Sequence, residues 1–319
     1  MPGDIKIMSK YRRLQRFFAE VQLEWDQLAA FIVNQISMHT KYIVIIDRTN
    51  WKFGTVDINF LVLSIAWHGI SIPIYWVNLA RAGNSNTEER MQILSKVIRL
   101  LGVDKIEALL ADREFIGEDW LHWLDHYGIK FVIRIKDNSQ LYHNKRYRKA
   151  IKSFRTLSRE HTRCISCTLW GLCLTVVGYK DENGEVHILA TNGDPTLAVE
   201  LYSIRWQIES MFLCLKSNGF NLEATHMTDP DKLDLMFGLL AILTCWNCKI
   251  GIWCHAIKPI KIKNHDRPEQ NLFHYGMSVI SAIFNNVFYY AKDFKNVLKI
   301  LKKPHLIDSG CHDMEWQCI

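Results

Sequence analysis

Several things are missing from this chain, and each absence narrows what it can be. Met1 to Arg16 carries Lys and Arg with no apolar run behind them, so a secretory signal is not indicated. Nine cysteines without such a signal point to free thiols in a reducing cytosol and not to a disulfide framework. No internal repeat and no low-complexity segment can be found, which excludes a repeat array and a long unstructured linker. A dominant charge of one sign is also missing. Lys plus Arg exceed Asp plus Glu by 39 − 33 = 6, a mild excess that suits a polyanion partner without proving one.

What is present fits one large domain or two modest ones, since 319 residues can bury a sizeable core. The positive charge is uneven. Lys136 to Arg163 holds nine basic residues, among them Lys145, Arg146 and Arg148, against Asp137 and Glu160. The most apolar stretch, Leu233 to Cys254, is interrupted by Asn247 and Lys249, so a buried helix is expected rather than a membrane span.

Periodicity predicts one helix over Lys10 to Ile36 and a doubly covered strand over Tyr42 to Ile46 that ends at Asp47. A hairpin follows, Phe60 to Trp67 and Ile72 to Trp76, turning at His68-Gly69. Next come a polar loop at Asn84 to Asn86, a helix from Thr87 to Leu101 closed by Gly102, and a strand from Ile106 to Ala111 that runs into Asp112. A helix from Glu118 to Tyr127 and a strand from Phe131 to Ile135 complete a mixed sheet with helices packed on it. Lys136 to Asn192 reads as a β-rich insertion that alternates through Cys164 to Tyr179, turns at Glu182-Asn183-Gly184 and returns as Val186 to Thr191. Two further helical patterns, Asn271 to Asn286 and Phe288 to Lys302, follow a basic loop, and the tail from Pro304 is expected to be poorly structured. The expected segments are thus 1–40, 41–136, 137–192, 193–257 and 258–319.

The chemistry concentrates on a helix expected to begin near Ala198. At about 100° per residue, Tyr202, Arg205, Glu209 and Lys216 share an arc of roughly 60°. Leu201, Ile204, Ile208, Phe212 and Leu215 form the adjoining buried face, which places the polar stripe along its edge. Asp47 and Asp112 each follow an apolar strand and each precede an arginine. Ligands collect outside the carboxyl ends of strands in such sheets, and three carboxylates there suit Mg²⁺ beside phosphate oxygens. The bland alternative is that each aspartate caps a loop.

These residues carry a resemblance. Tyr202-x₂-Arg205-x₃-Glu209-x₆-Lys216 is similar, without a gap, to the signature of IS-four type insertion-sequence transposases, which belong to the DDE superfamily with a ribonuclease H-like catalytic core. Four fixed residues at fixed spacing arise by chance roughly once in 10⁵ positions. Asp47-Arg48-Thr49-Asn50-Trp51, Gly83-Asn84-Ser85 and Ala111-Asp112-Arg113-Glu114-Phe115 also match, so the resemblance covers about Tyr42 to Phe284. It implies that Asp47, Asp112 and Glu209 hold two Mg²⁺ or Mn²⁺ ions, and that Tyr202, Arg205 and Lys216 contact phosphates of double-stranded DNA at transposon ends and target. It also implies a homodimer in the DNA-bound complex and cut-and-paste chemistry. The interval from Asp112 to Glu209, 209 − 112 = 97 residues, accommodates the β-rich insertion of this subgroup. Some relatives stack a flipped base on a tryptophan in the last insertion strand. Here His187 stands there, with Trp170 on the preceding strand as a substitute. About 40 residues precede the first strand, fewer than relatives usually carry, so a truncated end-binding region is expected, with Arg12, Arg13 and Arg16 on a solvated face.

Cys164-x₂-Cys167 and Cys245-x₂-Cys248 do not read as zinc sites, because residues three apart on a strand face opposite ways and the second pair lies in an apolar helix. His122 and His126 read as exposed. Two rivals stand beside the transposase: a nuclease of the same core without strand transfer, and a non-catalytic DNA-binding descendant.

Overall fold

The computed structural model describes residues 7–36, 41–159, 161–264 and 267–302. The tail from Pro304 lies outside them. The chain divides into two compact units. One holds 41–49 and Phe60–Phe212; the other holds the N-terminal helices, Asn50–Asn59 and the chain from Leu213 onward.

The first unit is built on a ten-stranded mixed sheet, although the turn end of its first hairpin, Asn50–Asn59, is counted with the second. Its strands are β1 Tyr42–Phe53, β2 Val56–Trp67, β3 Ile70–Asn78, β4 Ile106–Ala111, β5 Phe131–Arg134, β6 Gln140–His143, β7 Arg146–Lys149, β8 Arg163–Leu169, β9 Leu172–Lys180 and β10 Val186–Thr191. They lie in the order β3-β2-β1-β4-β5-β10-β9-β8-β6-β7. β4 runs parallel to both β1 and β5, while β3 pairs antiparallel with β2 and β10 with β5. This is the α/β, ribonuclease H-like mixed sheet expected, and the insertion strands extend it past β5. β2 is buried on both faces from Ile58 to Ile65, and β3, at the sheet edge, tolerates Pro73 because an edge strand has no ladder donor to lose there.

Several elements form where local signals place them. Helix α3 spans Thr87–Leu101 and begins with a capping box between Asn86 and Glu89. The β2–β3 turn puts both His68 and Gly69 at positive φ, as a tight two-residue hairpin turn requires. Helix α4, Glu118–His126, closes at Gly128.

Four expectations change. β1 does not stop at Asp47 but runs on to Phe53 in a long hairpin with β2, turning at Gly54. The Cys164 to Tyr179 run is itself a hairpin, β8–β9, with Trp170 (φ 48°) and Gly171 (φ 81°) at its turn, so Trp170 is a turn residue and not a strand residue. Cys164 is exposed and Cys167 buried, on opposite faces as alternation demands. The expected N-terminal helix is two, α1 Ile7–Glu20 and α2 Trp25–Gln35, in the second unit. Neither glycine nor proline breaks it. The bend lays Leu23, Trp25 and Leu28 against Gly238, where a Cβ would come within 2.9 Å of Leu23. Arg12, Arg13 and Arg16 are exposed on α1.

The second unit centres on α7, Pro230–Ile257, which packs with α8, Leu272–Asn285, and α9, Ala291–Lys302. Trp246, Ile250, Trp253, Val279, Ile283, Val297 and Ile300 form its core. By length and composition α7 could cross a membrane, yet most of its apolar window is buried within the protein. Lys249 is fully buried and donates to Gln35 at 2.6 Å. The last expectation to change concerns the catalytic helix.

Candidate active site

The parallel register puts Ile46 of β1 beside Ala111 of β4, so the next residue on each chain, Asp47 and Asp112, falls side by side. Asp112 makes no side-chain capping bond to the 3-10 turn that follows it. Asp47 accepts from the Arg48 amide at 2.7 Å, a bond within its own strand. Loop capping therefore does not account for either carboxylate.

The helix from Ala198 is two helices, α5 Ala198–Ile204 and α6 Trp206–Lys216. The joint is at Arg205, whose amide bonds to Tyr202 O at 3.1 Å and whose carbonyl accepts from Ile208 at 3.1 Å, both tightened three-residue steps. A uniform wheel therefore misplaces the stripe. Tyr202 and Arg205 do not run along an edge but are buried, 3% and 6% exposed, with Ile208 and Met211 on the same inner face. Gln207 accepts from the Trp67 amide at 3.2 Å and ties α6 to the end of β2.

Burial brings the polar groups together. Arg205 links two acids, Nη1 to Asp47 Oδ2 at 3.2 Å and Nη2 to Glu209 Oε1 at 2.6 Å. Its Nε is buried without a hydrogen-bond partner. Tyr202 donates to Asp112 Oδ1 at 3.4 Å. Asp47 is pushed up to about 7 because burial outweighs the Arg48 amide and the Arg205 guanidinium. Burial also drives Tyr202 well above the ordinary phenol range, against the pull of Arg205 and Arg134.

Three sequence motifs meet in the supporting network. Arg48 forks onto Glu114, Nε–Oε1 at 3.1 Å and Nη2–Oε2 at 3.2 Å, and reaches Asn84 Oδ1 at 3.2 Å. Sequence reasoning passed over Arg90. It is buried, donates to Ser85 Oγ at 2.9 Å and to Glu114 O at 3.1 Å, and lies over the Phe115 ring. The signal available was an arginine four residues into a capped helix, directly after the Gly83-Asn84-Ser85 match.

The remaining candidates make other contacts. Lys216 belongs to the second unit, where it donates to Asn50 O at 3.1 Å, pairs with Glu223 at 2.8 Å and sits over the Trp51 ring. Trp170 is part-exposed at its hairpin turn, its carbonyl 2.7 Å from His122 Nε2. His187 on β10 stacks on Tyr179 and pairs with Asp181 at 3.2 Å. Lys145, Arg146 and Arg148 are exposed on the β6–β7 hairpin. Among the described residues, the group whose ligand atoms all lie within 4.8 Å of one another is Asp181, Glu185 and His187. Asp47, Asp112 and Glu209 do not gather that closely, with Arg205 joining the first to the third.

The family model described as transposase DDE domain matches residues 38–247. Among solved structures, the HTLV-2 integrase catalytic core domain in complex with magnesium is similar over 30% of this chain and 62% of its own, at 17% identity and a TM-score of 0.24. Endonuclease V of Bacillus subtilis matches over 70% of this chain and 96% of its own, at 8% identity and a TM-score of 0.32. Human endonuclease V matches over 68% and 99%, at 14% identity and a TM-score of 0.33. The chain thus spans less than two thirds of the integrase core and nearly all of each endonuclease. A comparison with curated proteins finds no match.

Proposed function

The chain belongs to the transposase DDE-domain family, and from that premise we propose that it is an IS-four type transposase that cuts and rejoins DNA phosphodiester bonds with two divalent ions. The observation that carries the reading is the placement of Asp47 and Asp112 on adjacent parallel strands, with Arg205 joining Asp47 to Glu209.

The residues fit such ions. All three acids offer hard oxygen donors, which suit Mg²⁺ or Mn²⁺. A buried carboxylate raised to about 7 lacks enough positive charge around it, and a divalent cation supplies that charge. A site for two ions does not require all three carboxylates to converge on one point. Asp47, Asp112 and Glu209 would hold the ions, which supply Lewis-acid activation of the attacking and leaving oxygens.

The chain's own residues do the rest. Asp47 must give up its proton to serve as a ligand. Arg205, freed from its two acids, would present a planar fork to a phosphate, and its unpartnered Nε is a donor already desolvated for the purpose. Tyr202, a phenol held firmly in its protonated form, would donate to a phosphate near the scissile bond. Lys216 would add a point charge on the backbone, and Trp170 or His187 a surface for an unstacked base. The partner is double-stranded DNA in the cytoplasm, engaged by a homodimer that pairs two ends.

The test is cleavage and joining of DNA carrying the inverted repeats that flank the gene, in Mg²⁺, by wild type and by Glu209→Gln. Wild type should release and join ends, and the variant should bind without cutting. Equal inactivity of the two, with DNA still bound, would remove the catalytic reading.

A further inference from the structure

The register that sets Asp47 beside Asp112 continues one strand further. Ala111 of β4 pairs with Ile133 of β5, so the residue level with Asp112 on the third parallel strand is Arg134. Across β1, β4 and β5 the same row reads Asp47, Asp112, Arg134. The third place in a row of ligand carboxylates is a guanidinium.

Its surroundings set it against the site and not away from it. The Arg134 charge bears on both the Tyr202 and the Tyr179 phenols, opposing the rise that burial imposes on each. Tyr202 also donates to Asp112. The present partner of Arg134 is Glu185, at 2.8 Å. That acid is 63% exposed, whereas the arginine is 17% exposed. The β9–β10 turn holds the acid in place, because Asp181 accepts from the Glu185 amide at 2.8 Å and from Asn183 at 3.0 Å. A mostly buried arginine paired with an exposed carboxylate is half of a bidentate anion site whose occupant solvent can reach.

We propose that Arg134 binds a backbone phosphate of the DNA strand crossing the carboxyl ends of β1, β4 and β5, and that Glu185 occupies its fork until DNA displaces it. Arg134 is a phosphate-binding residue on the β5 side of the carboxylates, so that a strand passing from Asp47 over Asp112 meets it next. The assignment also explains the acidic group at Asp181, Glu185 and His187: its members anchor a turn, an arginine and a ring, and need no cation of their own.

This inference rests on the DNA-acting reading above, and the test separates the two. Binding of a short fluorescent duplex is measured, without divalent ions, for wild type, Arg134→Ala, Arg134→Lys, Glu185→Ala and the double variant Arg134→Ala/Glu185→Ala, each with its melting temperature. Arg134→Ala should lose about tenfold in affinity, and Arg134→Lys should lose less. Glu185→Ala should bind more tightly than wild type, and that gain should vanish in the double variant. A purely structural ion pair predicts instead that Glu185→Ala binds no better. An equal gain from removing Glu185 with or without Arg134, or an undiminished Arg134→Ala, overturns the assignment alone. Failure of folded wild type to bind duplex overturns it together with the reading it rests on.

Discussion

At the scale of single residues, Asp47 makes the sharpest prediction. Its folded value is about 7, whereas an unfolded aspartate titrates near about 3.9. A raised folded value means the native state holds a proton that the unfolded chain has released. The resulting stability is present in full below the unfolded value and is lost as pH rises through about 7. In the absence of divalent ions, wild type should therefore lose stability between about pH 4 and about pH 7, read as a falling urea midpoint. Asp47→Asn should show a smaller loss over the same window. Matching pH profiles for the two proteins would show that another group is responsible. Lys249 gives a second case. Its Nζ is fully buried and donates to Gln35, so Gln35→Ala takes an acceptor from a buried ammonium and should cost about 1–3 kcal/mol in urea unfolding. A cost near zero would mean that the ammonium is satisfied without Gln35.

At the scale of elements, the β8–β9 turn separates packing from contact. Trp170 occupies the left-handed region at φ 48°, where a bulky residue is strained and asparagine is tolerated. Trp170→Asn should keep or raise the melting temperature while weakening duplex binding. A variant that melts lower and binds normally would mark the ring as structural. The same turn shows why parts of the fold escaped the sequence. β4 and α3 were legible to the residue because apolar runs met explicit stops, Asp112 for one and the Asn86 box and Gly102 for the other. At Trp170-Gly171 no polar cluster announces a turn, so two strands read as one. β1 was cut short because Asp47 looked like a terminator, yet a carboxylate can sit within a strand when a guanidinium faces it. That Tyr202, Arg205 and Glu209 cluster with Asp47 and Asp112 was legible from motif spacing. The depth of the cluster was not, because the tightened step at Arg205 rotates Tyr202 and Arg205 inward, and a wheel with a constant angle cannot anticipate that.

At the scale of the whole molecule, the proposed DNA partner would meet a net charge of only +6, so where that charge lies matters more than its sum. Lys145, Arg146 and Arg148 stand exposed on the β6–β7 hairpin, at the far edge of the ten-stranded sheet from β3. Lys292, Lys295 and Lys299 stand exposed on α9 in the other unit. Changing either trio to alanine takes the net charge from +6 to 6 − 3 = +3, so a response to overall charge alone would be the same for both. Binding through the hairpin predicts a difference. Every phosphate that a side chain no longer neutralises lowers the slope of log affinity against log salt by about 0.9. The hairpin trio should flatten that slope by up to three such steps, and the α9 trio should leave it near the wild-type value. Both variants should keep their fold, since exposed substitutions of this kind typically change stability by no more than about 0.5 kcal/mol. Equal slopes for the two variants would mean that DNA senses the molecule's charge and not this edge of the sheet. In that case the β-rich insertion would serve the carboxylates as scaffold.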